Sequence, residues 1–218
     1  MISVLLPSRD RVDLLRRSID SLFRMASDED NIEVLVGIDQ DDGVTQAAVQ
    51  SNGIRIRQIL AYTADERFGY HRLHEYFNML WVHGRGNWFL LWNDDAVMLT
   101  PGWDHQLDEL RPGVACLHGN HDPFNVFPAV HRTVVEAMGH FSLSNHNDSW
   151  LVDVALGVPC LRDTTIQVLH DRFDLTGNNN DTIYQQSRGG YRTLEYYGPE
   201  LSELRGQDVL KVRKALGL

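Results

Sequence analysis

Residues 88–104 read Trp88-Phe89-Leu90-Leu91-Trp92-Asn93-Asp94-Asp95-Ala96-Val97-Met98-Leu99-Thr100-Pro101-Gly102-Trp103-Asp104. An apolar run stops abruptly at two adjacent carboxylates, and a second short apolar run leads to a Pro-Gly turn. A continuous apolar run of this length predicts a strand buried on both faces, as in a parallel sheet. Its C-terminal end is where open α/β sheets collect ligands. Paired carboxylates at such an end can hold a hard divalent cation, and that cation can neutralise a diphosphate.

Similar runs occur upstream. Ile2 to Leu6 is apolar and ends at Pro7-Ser8-Arg9-Asp10. Val12, Leu15, Ile19, Leu22 and Phe23 then recur at helix spacing. Ile32 to Ile38 predicts a second strand that ends in Asp39-Gln40-Asp41-Asp42-Gly43, and Ile54 to Ala61 a third. Tyr70 to Val82 predicts a helix through Leu73, Phe77, Leu80 and Trp81. The order strand, helix, strand, strand, helix, strand predicts an α/β fold, a mixed and mostly parallel sheet with helices on both faces.

Downstream, the pattern predicts a short helix over 104–110, a strand over 114–117 and an irregular stretch over 118–127. Helices are expected over 130–138 and 148–156, a strand over 165–169, a mobile loop over 171–181 and a helix over 207–216. No repeat, low-complexity tract or linker divides the chain.

The 218 residues carry a formal net charge of -10, so no global basic field attracts nucleic acid. The two cysteines, Cys116 and Cys160, read as small core residues of a reducing compartment. No stretch is apolar enough to span a bilayer, and the N-terminus lacks a signal-peptide pattern, so a cytoplasmic protein is expected. Oligomeric state is not legible.

The order of these motifs resembles family 2 type inverting glycosyltransferases of the GT-A fold. Ile2-Ser3-Val4-Leu5-Leu6-Pro7-Ser8-Arg9 is similar to their opening strand and turn. Glu33 to Gly43 resembles their second strand with its acidic end, and Asn93-Asp94-Asp95 stands where the family carries Asp-x-Asp. Asp148-Ser149-Trp150 stands at the family's acidic helix start, and His170 where a metal-binding His is often found. The likeness runs from residue 2 to about residue 170. Asn93 replaces the first Asp of the motif, and Asn147-Asp148 replaces a Glu-Asp pair.

The resemblance implies a single Rossmann-type GT-A-like domain, with a nucleotide-sugar-binding half (1–103) and an acceptor-binding half (104–218). It implies transfer from a nucleotide-diphosphate sugar, UDP-linked, with Mn²⁺ or Mg²⁺. Asp95 would anchor the metal, while Asn93 or Asp94 would touch the ribose or a metal-bound water. Asp39 would read the base, with Pro7, Ser8 and Arg9 as the other wall. Arg67 is a candidate diphosphate or sugar contact, and His170 a further metal ligand. Asp148 would be the general base, although Asp also favours helix N-caps. Trp150 would offer a platform for a sugar ring or else pack in the core. Asp42 fits an acidic turn closed by Gly43, and His71 and His74 fit a helix surface.

The acceptor stays open among a glycan, a protein and a modified nucleic-acid base. A non-catalytic nucleotide-sugar-binding module of the same fold is the second reading, supported by Asn93. Sugar-phosphate nucleotidyltransferases usually have a Gly-rich loop after the first strand, and Pro7-Ser8-Arg9-Asp10 lacks its glycines.

Overall fold

The computed structural model describes residues 1–51, 58–120, 127–188 and 193–218. The first half alternates β1 (Ile2–Pro7), α1 (Val12–Met25), β2 (Ile32–Ile38), α2 (Gly43–Gln50), β3 (Ile59–Thr63), α3 (Leu73–Trp81), β4 (Trp88–Leu91) and β5 (Ala96–Met98). The second half contains α4 (Trp103–Asp108), β6 (Val114–Ala115), β7 (Ala129–His131), α5 (Arg132–Met138), α6 (Asn147–Gly157), β8 (Leu161–Arg162) and β9 (Val168–His170). Four helices complete it: α7 (Phe173–Thr176), α8 (Thr182–Arg188), α9 (Thr193–Tyr196) and α10 (Pro199–Leu216).

Seven strands form one sheet in the order β3-β2-β1-β4-β7-β6-β8. β1 pairs in parallel with β2 and β4, and β2 with β3. β7 runs antiparallel to both β4 and β6. The sheet is thus mixed and mostly parallel. β5 and β9 form a separate antiparallel pair.

Successive strand residues face opposite sides, and the two cores follow that alternation. Val4, Leu6, Val34, Val36 and Leu90 pack with Leu15, Ile19 and Leu22 of α1 on one face. Leu5, Leu35, Phe89 and Leu91 pack with Phe77 and Leu80 of α3 and with Trp150 and Val154 of α6 on the other. Both faces are covered, so β1, β2 and β4 are almost wholly apolar; the buried exceptions, Ser3 and Glu33, are bonded to each other, Ser3 Oγ donating to Glu33 Oε1 at 2.6 Å.

Several expected elements differ from the structure. Helix α2 stands between β2 and β3 where only an acidic turn was expected. Its apolar stripe is thin, with Thr45 and Val49 as its buried residues. Asp42 caps it by accepting from the Thr45 backbone N–H at 3.0 Å. The third strand continues past Ala61 to Thr63, while residues 54–57 of the expected strand lie outside the described residues. The helix expected from Val130 starts at Arg132, because Val130 and His131 pair with β4. The terminal helix starts at Pro199, eight residues before Gln207, with proline in its first turn, where a missing N–H costs nothing.

Candidate functional site at the carboxyl ends of β1, β2 and β4

The C-terminal ends of β1, β2 and β4 open on one cavity of about 290 Å³, whose lining comes from both halves of the chain. Of the residues expected there, Pro7, Ser8, Arg9, Asp39, Arg67, Asn93, Asp94, Asp95, Asp148 and His170 all line it.

The first wall is the turn after β1. Ser8 N–H donates to the Gly37 carbonyl at 3.0 Å, continuing the β1–β2 ladder. Asp10 then takes a left-handed φ of 54°, and its N–H donates to Asp42 Oδ2 at 3.0 Å. Arg9 Nη1 meets Asp39 Oδ2 at 2.9 Å, and both Arg9 terminal nitrogens hold Asp41. The other Asp39 oxygen accepts from the hydroxyl of Tyr76 on α3. Asp39, the expected base reader, thus has Arg9 on one oxygen and Tyr76 on the other.

The acidic tip follows β4. Trp92 N–H donates to the Leu5 carbonyl, and its indole N–H donates to Ser18 Oγ on α1 at 2.8 Å. Ser18 Oγ donates in turn to the Asn93 carbonyl at 3.0 Å. The tip is therefore fixed to both β1 and α1. Asp94 and Asp95 are both buried, 6% and 5% exposed. Asp94 Oδ2 accepts from Ser8 Oγ at 2.8 Å, and Oδ1 from Arg11 Nη1 at 3.1 Å. Burial pushes the Asp94 carboxyl above the usual range despite Arg11. Burial also opposes the Asp95 charge, but the His170 imidazole and Arg11 outweigh it and hold that carboxyl low.

His170 arrives by the β5–β9 pairing. Ala96 stands opposite His170, and Asp171 N–H donates to the Asp95 carbonyl at 2.8 Å. The segment after it, where a loop was expected, contains the short helix α7 and is tied to Asp171. The Asp171 carboxylate accepts from Thr176 Oγ1 at 2.7 Å and Asn178 Nδ2 at 2.9 Å, and pairs with Arg17 of α1 at 2.7 Å. Though burial opposes it, these partners hold the Asp171 carboxyl at about 2.

Helix α6 supplies the opposite wall. Asp148 is its second residue rather than its cap, and Oδ1 accepts from the Ser149 N–H at 2.8 Å. Burial pushes the Asp148 carboxyl up. The neighbouring Asn147 is 2% exposed and also lines the cavity. Asn78 of α3 positions the loop before α6, accepting from the Phe141 N–H at 2.7 Å and donating to the Ser142 carbonyl at 2.8 Å.

Trp150 corrects an expectation. It is fully buried in the core, and its indole N–H donates to Asp208 of α10 at 3.1 Å. It is not among the cavity-lining residues and presents no platform there. Tyr70, Tyr76, Phe77 and Tyr184 are the aromatic residues that do line the cavity.

Asp95 Oδ1 is buried without a well-aligned hydrogen bond and lies 3.2 Å from His170 Nε2. A carboxylate oxygen and an imidazole nitrogen facing each other suit Mn²⁺ or Mg²⁺ when other ligands come from phosphate and water. Among the described residues no group of three or more His, Cys, Asp or Glu side chains forms a complete metal cage. Asp95 and His170 are thus two donors of a kind that fits such an ion.

Several site residues escaped the sequence reading. Arg11, Tyr76, Arg172 and Tyr184 all line the cavity. Tyr76 carried a signal, since it adjoins Phe77 on the apolar side of α3. Arg11 stands in a cluster with Arg9, Arg16 and Arg17 that fits a local basic groove or a solvated helix face, but its union with Asp181 carried no signal, since two hydrogen bonds join residues 170 positions apart.

The molecule is an α/β protein with the fold of the GT-A glycosyltransferases. It is similar to a mannosyltransferase from Pyrobaculum calidifontis, PcManGT, in complex with GDP-Man and Mn²⁺. That likeness has a TM-score of 0.66 and 13% identity over 99% of this chain and 72% of the other. It is similar to S. aureus TarS 1–349 in complex with UDP, with a TM-score of 0.62 and 10% identity over 99% and 90% of the two chains. It also resembles glucosyl-3-phosphoglycerate synthase from Mycobacterium tuberculosis in complex with Mn²⁺, UDP and glucosyl-3-phosphoglycerate, with a TM-score of 0.58 and 13% identity over 100% and 80%. No protein-family model and no curated protein matches the chain. Among the described residues, no helix is long and apolar enough to cross a membrane.

Proposed function

We propose that this chain is an inverting glycosyltransferase that moves a sugar from a nucleotide-diphosphate sugar, UDP-linked, to a hydroxyl of an acceptor. The observation that carries this reading is the meeting in one cavity of the Asp94–Asp95 tip, His170, Asp148 and four arginines (Arg9, Arg11, Arg67 and Arg172). The fold likeness to proteins in complex with GDP-Man, UDP and Mn²⁺ supports it.

Asp39 and Arg9 hold the base, with Pro7 and Ser8 as the adjoining wall. Uracil offers a neighbouring N–H and C=O, which match a carboxylate beside a guanidinium. Arg67 and Arg172 take diphosphate oxygens, for which a planar donor fork is suited. Asn93 and Asp94 face the ribose and phosphates. Asp95 and His170 hold a Mn²⁺ or Mg²⁺ ion, which supplies positive charge to the leaving diphosphate when bound.

Asp148 is the general base. It accepts the proton of the acceptor hydroxyl as that oxygen bonds to the anomeric carbon. The bond from that carbon to the diphosphate breaks, and its electron pair leaves with the diphosphate. One in-line displacement inverts the anomeric centre. A base with a raised pKa binds the transferred proton more tightly, which suits the role. In this reading residues 1–103 bind the nucleotide sugar, and 104–218 bind the acceptor while lending His170 and Arg172 to the diphosphate end. The acceptor is a glycan, a protein or a modified nucleic-acid base.

The test is nucleotide release from UDP-sugars with Mn²⁺, with and without Asp148→Asn. Slow donor hydrolysis that the variant loses supports the enzyme. Nucleotide binding without turnover supports the second reading, a binding module, which Asn93 at the tip favours.

A further inference from the structure

Arg11 has no role in the transfer as described, yet it is the most enclosed cation at the site. Its side chain is 9% exposed. Nε and Nη2 hold Asp181 at 2.8 and 2.7 Å, while Nη1 lies 3.1 Å from Asp94 and 3.6 Å from Asp95. One guanidinium thus serves three carboxylates, two of them buried side by side. Buried carboxylates require a counter-charge, and Arg11 supplies it to Asp94 and shares it with His170 at Asp95.

A divalent cation on Asp95 and His170 would supply the same counter-charge. Two cations in so small a seat repel each other; Asp94 and Asp95 offset part of that repulsion, and an arriving anion offsets more. A diphosphate is such an anion, and it also offers oxygens to the Arg11 fork.

We propose that Arg11 is a built-in competitor for the metal seat, which opposes a bare divalent cation and yields only when a nucleoside diphosphate arrives to take its fork. The inference rests on the proposed donor and metal sites. Arg11 thereby makes metal and nucleotide binding mutually dependent, and that coupling acts equally in both directions. Asp181 anchors the outer side of the fork and sets which way Arg11 can turn.

The experiment follows free Mn²⁺ by electron paramagnetic resonance during titration of the full chain. Mn²⁺ is used alone, with UDP and with GDP, on wild type, Arg11→Met and Arg11→Lys. In wild type, a nucleotide tightens Mn²⁺ binding at least about tenfold, within the usual range of coupling between two ligands. Arg11→Met binds Mn²⁺ alone about five- to tenfold more tightly, and the gain from nucleotide shrinks by a similar factor. A role in packing alone moves bare Mn²⁺ affinity the other way or not at all. Arg11→Lys keeps one charge without the fork, so it falls between the two. It decides the matter if Arg11→Met does not fold. Equal or weaker bare Mn²⁺ binding in both variants overturns the inference and leaves the proposed function standing. No Mn²⁺ binding to wild type with either nucleotide overturns the proposed function and the inference with it.

Discussion

His170 Nε2 stands 3.2 Å from Asp95 Oδ1, because Asp95 immediately precedes β5 and β5 pairs with β9. Asp95 thus links β4 of the main sheet to β5 of the small antiparallel pair, in which His170 ends β9. If this pair seats the cation, His170→Ala lowers Mn²⁺ affinity about tenfold or more in the presence of UDP, as loss of one ligand does. Calorimetric titration checks it. An unchanged affinity removes His170 from the metal site.

Asp148→Asn separates chemistry from binding. Donor hydrolysis falls about 10²- to 10⁴-fold, the usual worth of a positioned base. UDP affinity stays near that of wild type, since Asp148 contacts the acceptor in the proposed reaction. An equal loss of both makes Asp148 a binding residue.

The same carboxyl gives a pH signature with two opposite signs. Burial raises its pKa in the folded chain. A base must be ionised, so the rate climbs as pH rises through that raised value. Stability runs the other way. A carboxyl whose folded pKa exceeds its unfolded value of about 3.9 stabilises the protein below that value. The contribution is lost as pH rises through the folded pKa. Asp148→Asn therefore melts higher than wild type at pH 7, and the difference shrinks toward pH 4. Thermal melts at a series of pH values read this directly.

Trp150 is a core residue, and its removal acts on stability. Trp150→Ala costs about 3–5 kcal/mol, as for other large core aromatics. Trp150→Phe keeps most of the packing and loses the bond to Asp208, at about 1–2 kcal/mol. UDP affinity of the folded fraction stays unchanged in both. Denaturant melts and nucleotide titration together check this, and a selective loss of affinity restores Trp150 to the site.

Gly113 tests the far end of the sheet. A Cβ there would lie 2.1 Å from the Cys160 carbonyl oxygen, which accepts the Val114 N–H of the β6–β8 pair. Gly113→Ala must part these strands, so it destabilises by roughly 2–4 kcal/mol. Denaturant unfolding measures the loss.

The strands β1, β2 and β4 were legible because burial on both faces demands runs that are almost wholly apolar, and the acids that stop two of those runs stood out for the same reason. Helix α2 was not legible, since Val44 is exposed and its inward face is nearly bare of large apolar groups. Trp150 carried a signal, for Leu151, Val154 and Ala155 share its buried side of α6. In the asparagine-rich stretch, the Asp171 carboxylate accepts from Thr176 and Asn178, bonds that no local propensity encodes.

By itself, the sequence determined the alternation of strands and helices, the parallel core and the row of carboxylates at its edge, because each follows from short-range periodicity and burial. Tertiary structure alone decided which charges face one another. The union of Arg11 with Asp94 and Asp181 and the approach of His170 to Asp95 join residues far apart along the chain. Such pairs are set by where the packed strands and helices end, and a difference of a few ångströms separates an ion pair from no contact.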